Sequence, residues 1–420
     1  MQLFYTILFY IIQPLIWLRL LLRSRKAPAY RKRWLERYGF CRGKVKAGGI
    51  LLHSVSVGET IAAIPLVQYL KKHYPHLPIT ITTMTPTGSE RVKAAFGDSV
   101  CHVYLPYDLP CAMKRFFKHV QPKLVVIMET ELWPNMIAQL YSQSIPLIIA
   151  NARLSERSAK GYGKLGSLTA SLMKKITCIA AQNEEDGQRF IDLGLPKDHL
   201  FVTGSIKFDI TVSDELKKAS ASLKHQWAEN RPVWIAASTH EGEEHILLDA
   251  HKQLLQTVPN LLLILVPRHP ERFPSVIQLT KEEGFTYVTR SSHESPTEET
   301  QVVIGDTMGE LMLLYGVSDV AFVGGSLIER GGHNPLEAAA HALPILMGPY
   351  VFNFRDICQR LANEGGLIFV NTVDDIIEQQ KQFLANTDYR MQSGKAALTV
   401  LQKNQGALHR LTQRIKRYLV

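Results

Sequence analysis

Residues 49–83, GILLHSVSVGETIAAIPLVQYLKKHYPHLPITITT, carry the pattern from which the fold follows. The apolar run Gly49–Ser54 predicts a buried strand, Glu59–His73 has the spacing of a helix, and Ile79–Thr83 predicts a second strand. A strand, a helix and a strand joined by short turns form a crossover unit of a parallel sheet. The fold class is therefore predicted to be α/β.

The same alternation continues on both sides of a pause in the middle of the chain. Gly204–Ser213 interrupts it, a polar helix is predicted over Asp214–Glu229, and a second series of strands then begins. Two doubly wound units joined by a short linker are the simplest account, and such pairs bind ligands in a cleft at the carboxyl ends of their strands. The other predicted strands are Leu124–Met128, Leu147–Ala150, Thr177–Ala181, Leu200–Thr203, Val233–Ala237, Leu261–Val266, Val302–Ile304, Val320–Val323 and Ile345–Met347.

Residues 3–22, LFYTILFYIIQPLIWLRLLL, are apolar over about the length of a bilayer span. Pro14 and Arg19 interrupt this segment, so a transmembrane helix and a half-inserted interfacial helix both stay open. A basic stretch follows, and the positive-inside rule keeps it and the rest of the chain in the cytosol. Its members are Arg23, Arg25, Lys26, Arg31, Lys32 and Arg33.

The formal net charge of +10 is concentrated at the two ends of the 420-residue chain. Residues 1–49 carry +10 and residues 391–420 carry +6, which leaves −6 for the segment between them. This distribution disfavours a central groove for nucleic acid and favours contact of both ends with an anionic membrane surface. Residues 391–420 are predicted to form a basic helix.

Acidic side chains follow two strands of the first unit. Glu59 begins a helix, where the helix dipole stabilises a carboxylate that could act as a base, although a simple capping acid is the alternative. Glu129 and Glu131 follow the strand Leu124–Met128 and could bind a metal, accept hydrogen bonds from a sugar, orient an arginine, or only begin a helix. The chain has no Asp-x-Asp motif, which favours a metal-free site.

Two cations also follow strands of the first unit. Arg153 comes after Leu147–Ala150, and its planar fork suits a carboxylate or phosphate, although a surface salt bridge is equally compatible. Lys207 lies at the linker and would point into the cleft as a phosphate or carboxylate partner, or else belongs to a hinge.

Polar side chains follow the strands of the second unit as well. Arg268 is placed to meet a nucleotide phosphate or base, and its neighbour His269 is a rival of Glu59 for proton transfer, although a structural role is favoured. A strand, a turn and a helix start that could bind phosphate, or form an ordinary capped helix, contain Met308, Gly309 and Glu310.

Two glycine pairs, Gly324-Gly325 and Gly331-Gly332, bracket the loop after Val320–Val323 and would let the backbone approach a ligand. Asn334 and Glu337 lie one helical turn apart, so both could reach one ligand such as a ribose.

The segment ASTHEGEEH, residues 237–245, has histidines five residues apart, which is the wrong spacing for a zinc pair on one helix face. Its Ser238 and Thr239 are instead predicted to cap a helix and form an anion site.

Taken in order, these motifs resemble those of the 3-deoxy-D-manno-octulosonic acid (Kdo) transferases of Gram-negative bacteria over nearly the whole chain. The motifs are SVSVGE, ETELWPN, NARLS, TGSIKFD, ASTHEGEE, PRHPER, DTMGEL and GGHNPLEAA. The resemblance implies a GT-B fold, with two Rossmann-like domains facing a cleft and an N-terminal membrane-anchor helix. The implied division is an anchor over 1–25, an acceptor-binding domain over 26–208, a CMP-Kdo-binding domain over 209–390, and a basic helix over 391–420 packing back on the first domain.

The resemblance also implies an inverting transfer of Kdo from CMP-Kdo to the tetra-acylated lipid A precursor, without a metal or other cofactor. It places the protein at the cytoplasmic face of the inner membrane, in contact with its lipids, and Glu59 would be the base. The donor-binding residues would be Lys207, Arg268, His269, Met308, Gly309, Glu310, Asn334 and Glu337. The acceptor or Kdo side would contain Ser56, Gly58, Glu129, Glu131 and Arg153.

Three alternatives remain open at this point. A membrane-associated GT-B transferase using a UDP-sugar, such as lipid A disaccharide synthase, would differ in its donor. A sugar-nucleotide epimerase shares the fold but needs no membrane segment, and a non-catalytic nucleotide-sugar-binding protein would not depend on Glu59.

Overall fold

In a computed structural model, which describes residues 2–41 and 43–419, the chain divides into two compact units. Unit 1 is Met1–Asp209 together with Gly406–Val420, and unit 2 is Ile210–Gln405. The end residues of the predicted anchor and of the predicted C-terminal helix, Met1 and Val420, lie outside the described residues, as does the side chain of Lys26.

Unit 1 is built on seven parallel strands. These are β1 (Ile50–His53), β2 (Ile79–Thr83), β3 (Cys101–Tyr104), β4 (Leu124–Met128), β5 (Leu147–Ala152), β6 (Cys178–Ala181) and β7 (Leu200–Val202). Their order in the sheet is β3-β2-β1-β4-β5-β6-β7, and Leu52 of β1 lies opposite Ile81 on one side and Val126 on the other. The winding direction reverses between β1 and β4. The loops after these two strands therefore lead away from each other and leave a crevice at the carboxyl edge of the sheet.

Helices cover both faces of this sheet, and the strands are therefore apolar on both sides. One core contains residues of β1, β4 and β5 and of the helices on one face, including Phe116, Met136 and Phe190, while the other contains Leu66, Leu411 and Ile415. The helices from α3 to α9 are α3 (Val57–His73), α4 (Pro86–Phe96), α5 (Pro110–Val120), α6 (Pro134–Ser142), α7 (Glu156–Gly163), α8 (Ser167–Met173) and α9 (Glu184–Asp192).

The N-terminal segment forms two helices, α1 (Gln2–Ile11) and α2 (Gln13–Lys26), where one was predicted. Pro14 lies in the first turn of α2, where a proline costs little. Among the described residues no single helix is long and apolar enough to cross a bilayer. The two helices together meet that length and composition, with a bend of 49° between them.

Unit 2 is also built on seven parallel strands. These are β8 (Val233–Thr239), β9 (Leu262–Pro267), β10 (Tyr287–Thr289), β11 (Val302–Ile304), β12 (Val320–Val323), β13 (Ile345–Met347) and β14 (Leu367–Phe369). Their order is β10-β11-β9-β8-β12-β13-β14, so the winding direction reverses between β8 and β12. Its helices are α10 (Asp214–Ala228), α11 (Glu243–Leu255), α12 (Phe273–Glu282), α13 (Leu311–Tyr315), α14 (Leu336–Ala340), α15 (Arg355–Asn363), α16 (Val373–Ala385) and α17 (Thr387–Asn404).

The C-terminal residues, predicted as one basic helix, form two helices instead. Helix α17 belongs to unit 2, and α18 (Ala407–Lys416) belongs to unit 1, where Ala407, Leu411 and Ile415 are fully buried. Gly406 separates them with φ of +91°, a backbone conformation that favours glycine. The single-helix prediction was wrong because apolar periodicity continues across this break.

Candidate active site

The turn between β1 and α3 holds Glu59 at the carboxyl edge of the unit 1 sheet. The hydroxyl of Ser56, the N-cap of α3, accepts a hydrogen bond from the Glu59 N–H at 3.2 Å. The Glu59 carboxylate accepts one from the Val55 N–H at 2.7 Å. These reciprocal bonds resemble a capping box, so Glu59 does cap its helix. Ser56 and Gly58 are exposed beside it.

The environment of Glu59 is unusual for a capping acid. The residue is only 7% exposed. Burial, together with the negative charge of Glu129, raises the pKa of this carboxyl, although the bonds from Val55 and Ser56 oppose the shift. A helix N-terminus alone would lower the pKa, so desolvation outweighs the dipole here. The raised pKa makes Glu59 a stronger base than an ordinary carboxylate.

Glu129 and Glu131 lie close to Glu59 because the strand that they follow, β4, pairs directly with β1. We call residues 129–133 the acidic loop. Burial, followed by the negative charges of Glu59 and Glu129, raises the pKa of Glu131 to about 7. The structure thus brings three predicted residues into one carboxylate cluster, in which the pKa of two members, Glu59 and Glu131, is raised.

The acidic loop begins with a strained residue. Glu129 has φ of +58°, and Asn151, at the end of the neighbouring strand β5, has φ of +54°. Such left-handed backbone costs roughly 1–3 kcal/mol in a residue other than glycine. At Asn151 the side chain compensates, since its Oδ1 accepts the Ile206 N–H at 3.0 Å. At Glu129 the backbone N–H donates to the Ala150 carbonyl at 2.9 Å, and the strained residue lies in the candidate site.

Arg153 lies on the loop after β5, next to the acidic loop, and Lys207 lies further along the same sheet edge, after β7. Arg153 is exposed, and its carbonyl accepts a hydrogen bond from the Thr130 hydroxyl, which ties its loop to the acidic loop. Lys207 lies in unit 1, in the 3-10 turn Ile206–Phe208 after β7. That turn is fixed by the Asn151 side chain, so both cations sit on loops with defined backbone geometry.

In unit 2, the loop after β12 is organised by Glu243. The fully buried Glu243 carboxylate accepts hydrogen bonds from the N–H groups of Gly325, Ser326 and Leu327 at 2.7, 2.9 and 3.0 Å. A side chain at Gly324 would place its Cβ 2.7 Å from the Ser238 carbonyl oxygen. This close approach to β8, together with the bonds to Glu243, accounts for the first glycine pair, and approach of the backbone to a ligand stays a prediction.

The prediction that Ser238 and Thr239 cap the next helix is wrong. Both residues belong to the end of β8, and the next helix begins only at Glu243, with Gly242 as its N-cap. The backbone N–H of His240 in this turn donates to Glu243 at 3.0 Å. The acid that belongs to the same motif thus fills the position expected for an external anion.

Three histidines gather around Arg268 at the carboxyl edge of unit 2. Nε2 of His240 and Nε2 of His333 are 2.8 Å apart, and the His269 ring stands edge-on to His240 with 5.3 Å between centroids. Burial first, and then the neighbouring cations, lower the pKa of His240 to about 4 and that of His333 to about 3. Both imidazoles are therefore neutral at pH 7, and one donates its proton to the other.

Glu337 faces the same cluster. Burial raises the pKa of its carboxyl, and the positive charge of Arg268 acts against that shift. The Asn334 side chain accepts the Leu336 N–H at 3.2 Å. Because β9, β8 and β12 are neighbours in the sheet, the structure brings Arg268, His269, Asn334 and Glu337 to one place.

The turn after β11 contains the remaining predicted residues. Glu310 forms a two-pronged ion pair with Arg290, at 3.1 and 2.9 Å, and this pairing lowers its pKa. Met308 is 61% exposed, and Gly309 has φ of +88°. The side chain of Glu310 is therefore committed to Arg290, whereas Met308 and Gly309 face solvent.

Sequence analysis missed three side chains that shape these sites: Glu243, His333 and Arg290. Glu243 follows β8, and the sequence Gly324-Gly325-Ser326 follows β12. This pairing of an acid with a glycine loop can be recognised only when β8 and β12 are known to be neighbours. Arg290 lies 20 residues from its partner, without any motif. Within residues 2–41 and 43–419, no three His, Cys, Asp or Glu side chains are placed to share a metal ion.

Comparison with known families divides the chain where the structure does. A family model described as 3-Deoxy-D-manno-octulosonic-acid transferase (kdotransferase) matches residues 32–210. A second, described as Glycosyl transferases group 1, matches residues 217–400. The boundary between the matches coincides with the boundary between the units.

The chain is similar over its whole length to two proteins called 3-deoxy-D-manno-octulosonic acid transferase. That of Haemophilus influenzae is 52% identical, covering 99% of this chain and 98% of its own. That of Bordetella pertussis is 33% identical, covering 99% of both. The structure of UDP-GlcNAc 2-epimerase from Neisseria meningitidis bound to UDP-GlcNAc has a TM-score of 0.57 at 15% identity, covering 88% of this chain and all of that one. This last likeness concerns the fold alone, and with the two parallel sheets it confirms the predicted GT-B class.

Proposed function

Because this chain belongs to the 3-deoxy-D-manno-octulosonic acid (Kdo) transferase family, we propose that it moves Kdo from CMP-Kdo onto the tetra-acylated lipid A precursor. The observation that carries the proposal is the carboxylate cluster at the ends of β1 and β4, with two raised pKa values. An acceptor hydroxyl is a weak nucleophile, and it needs a base whose pKa is close to the working pH.

Glu59 is the proposed base. The acceptor hydroxyl gives its proton to the Glu59 carboxylate while its oxygen attacks the anomeric carbon of Kdo. The bond between that carbon and the CMP phosphate oxygen breaks, and CMP leaves with the electron pair. A single displacement of this kind inverts the anomeric configuration, so the product linkage should be opposite to that of the donor.

The second unit supplies cations and polar groups for the donor. Negative charge grows on the phosphate of CMP as it leaves, and Arg268, with its planar fork, is suited to stabilise it. Neutral His240 and His333 limit the positive charge around Arg268 and hold its surroundings in place. Lys207 of unit 1 is a further proposed phosphate partner, and Asn334 and Glu337 are proposed to hold the ribose.

The membrane is the proposed location, with both units on the cytoplasmic face of the inner membrane. The apolar helices α1 and α2 and the basic residues after them support this, since the acceptor is a phosphorylated lipid. The acidic loop and Arg153 are proposed for the acceptor or Kdo side.

The test uses full-length protein in detergent, CMP-Kdo and the tetra-acylated precursor, with the product followed by mass spectrometry. Glu59→Gln should lower kcat on the order of a hundredfold or more, the usual worth of a general base. The matched control is Glu185→Gln, an exposed acid of α9. If Glu59→Gln keeps the wild-type kcat, Glu59 is not the base. If the wild-type protein adds no Kdo to the acceptor, the proposed reaction is wrong.

Transfer without a metal is a separate part of the proposal, supported by the lack of an Asp-x-Asp motif and by the cations expected at the departing phosphate. Wild-type rates should be the same before and after dialysis against a chelator. A rate that falls and is restored by a divalent cation would contradict it.

A further inference from the structure

The N-terminal helices α1 and α2 contact the rest of unit 1, mainly through polar side chains that we call the polar stripe: Gln2, Tyr5, Thr6 and Gln13. The side chains of Gln2 and Thr6 donate to Oδ1 of Asn135 at 3.4 and 3.0 Å. The Gln13 side chain accepts from the Tyr38 hydroxyl at 2.9 Å, and Leu20 is only 7% exposed. Spacings of four and seven residues put Gln2 and Thr6 on one face of α1, and Gln13 and Leu20 on one face of α2. Contact along the whole length is unexpected for a helix that leaves the protein to cross a bilayer.

The opposite face of the same helices is apolar and exposed. Leu3, Phe4 and Ile11 are 73%, 70% and 68% exposed, and a soluble surface rarely presents so large an apolar patch. The occupant that fits is one leaflet of an anionic membrane, because no acid occurs before Glu36 and exposed cations border the patch. The other exposed apolar side chains are Ile7, Leu8, Leu15, Leu18, Leu21 and Leu22, and the exposed cations are Arg19, Arg23, Arg25, Arg31 and Lys32.

The polar stripe also reaches the first turn of α6, which directly follows the acidic loop. The buried Asp108 carboxylate caps this turn by accepting the N–H groups of Asn135 and Met136 at 2.9 and 2.8 Å. The Tyr5 hydroxyl lies beside the same carboxylate, and burial first and then the charge of Asp108 raise the pKa of Tyr5. Asn135 is held a second time, since its Nδ2 donates to the Asp108 carbonyl at 2.7 Å. Tyr5 and Thr6 of α1 therefore act on the two residues that fix where α6 begins.

Glu131 lies three residues before Pro134, the first residue of α6. A shift of this helix start would be transmitted through so short a connection to the carboxylate cluster. Displacements of about 1 Å at a reacting group are enough to lower a rate on the order of a hundredfold.

From these contacts we infer that α1 and α2 lie within one leaflet and that their polar stripe positions the acidic loop for catalysis. The inference rests on the proposed function, because it assigns Tyr5, Thr6, Asp108 and Asn135 as positioning residues for that reaction. The exposed apolar face of these helices would then bind lipid, while the polar stripe on the other face holds the acidic loop in position.

The first experiment locates the N-terminus. A protease-cleavable tag is placed before Met1 of the full chain, and membrane vesicles of both orientations are treated with the protease. In-plane helices keep the tag on the cytosolic side, so cleavage is expected only in inverted vesicles. Cleavage in right-side-out vesicles would mean that the helix pair crosses the bilayer, and it would overturn the inference whatever the activity.

The second experiment separates positioning from folding. Tyr5→Phe combined with Thr6→Val removes the hydroxyls of the polar stripe, and kcat on detergent-dispersed acceptor should fall about tenfold, the effect of losing one or two part-buried hydrogen bonds. The KM for CMP-Kdo should stay at its wild-type value, and the Tm should fall by no more than a few degrees, the shift that about 1 kcal/mol produces. Thr6→Ser in place of Thr6→Val restores one hydroxyl and should recover part of kcat.

The matched control changes the lipid face, with Phe4→Leu and Ile7→Val in one variant, and its kcat in detergent should equal that of the wild type. Equal kcat in all variants, or a loss of kcat accompanied by a fall in Tm of more than a few degrees and no recovery with serine, would overturn the positioning role. An inactive wild type would count against the proposed function instead, and the tag result would still stand.

Discussion

Burial is the main reason why the pKa of Glu59 and of Glu131 is raised, and the negative charge of Glu129 adds to both shifts. Glu129→Gln removes that charge, so both pKa values should fall and the deprotonated base should persist to lower pH. The acid limb of the kcat/KM profile should therefore move to lower pH, measured between pH 5 and 9. Glu185→Gln is the control and should leave the profile unchanged. If the acid limb of the profile also stays in place in Glu129→Gln, the limb does not arise from ionisation of this cluster.

The backbone of Glu129 offers a second prediction. Its φ of +58° is accessible to glycine without strain. Glu129→Gly should therefore raise stability by roughly 1 kcal/mol through relief of strain, offset in part by greater freedom of the unfolded chain, while activity falls. Thermal unfolding measures the first effect and the transfer assay the second. Unchanged activity would show that the strain serves no function in the acidic loop.

His251 gives unit 2 a pH-dependent weakness. This fully buried ring accepts the Trp234 Nε1–H at 3.1 Å and donates to the Gln301 carbonyl at 3.0 Å, and burial lowers its pKa to about 3. In the unfolded chain this ring has a pKa of about 6.5. Below that pH the unfolded state binds a proton that the folded state does not bind, so the free energy of unfolding falls as the pH falls.

The cost of His251→Gln, measured by denaturant unfolding, should be about 2 kcal/mol smaller at pH 5 than at pH 7, since the variant lacks this group. His245→Gln, at an exposed position of α11, is the control. An equal cost at both pH values would contradict the assignment of a neutral buried ring.

The loop after β12 depends on a single side chain. The Glu243 carboxylate now accepts hydrogen bonds from four backbone N–H groups. In Glu243→Gln an amide NH₂ replaces one carboxylate oxygen, so some of these N–H groups lose their acceptor. The expected loss is about 2–3 kcal/mol, the worth of hydrogen bonds to a charged group left unmade. A lower Tm of the unit 2 transition would show it. Glu241→Gln, at an 86% exposed side chain, should leave the Tm unchanged.

The strands show how far periodicity predicts this fold. The interior strands β2, β4, β11, β12 and β13 have the predicted bounds, because each is buried on both faces and is one apolar run. The strands that were missed, β3, β10 and β14, all lie at sheet edges, where one side is open and the residues are only partly buried. An edge strand needs few apolar residues, so its sequence resembles a loop.

The site was predicted only as far as local sequence allows. A polar residue directly after an apolar run lies at the carboxyl edge in any parallel sheet, which is why Glu59, Glu129 and Glu131 were found. The hydrogen bonds of Glu243 to the glycine loop join residues more than 80 positions apart. The polar partners of α1 are similarly distant, and neither pairing leaves a periodic signal.

Unit 1 is built from both ends of the chain, and α18 completes one of its cores. The helix packs Ala407, Leu411 and Ile415 against residues of α3, including Leu66. A chain ending at Gln405 should therefore lose several kcal/mol of unit 1 stability, at roughly 1.5–3 kcal/mol for each large apolar side chain. Hydrogen exchange should accelerate in α3 and β1 and stay unchanged in unit 2, with a chain ending at Arg417 as control.

The separation of α18 from the rest of unit 1 also governs how the protein is made. The ribosome releases residues 1–209 first, yet their core lacks α18 until about 200 more residues have been translated, roughly 10–40 s later at ordinary speeds. During that interval the nascent chain exposes the apolar side of α3 that α18 later covers. The core of unit 1 therefore closes only after almost the whole chain has been made.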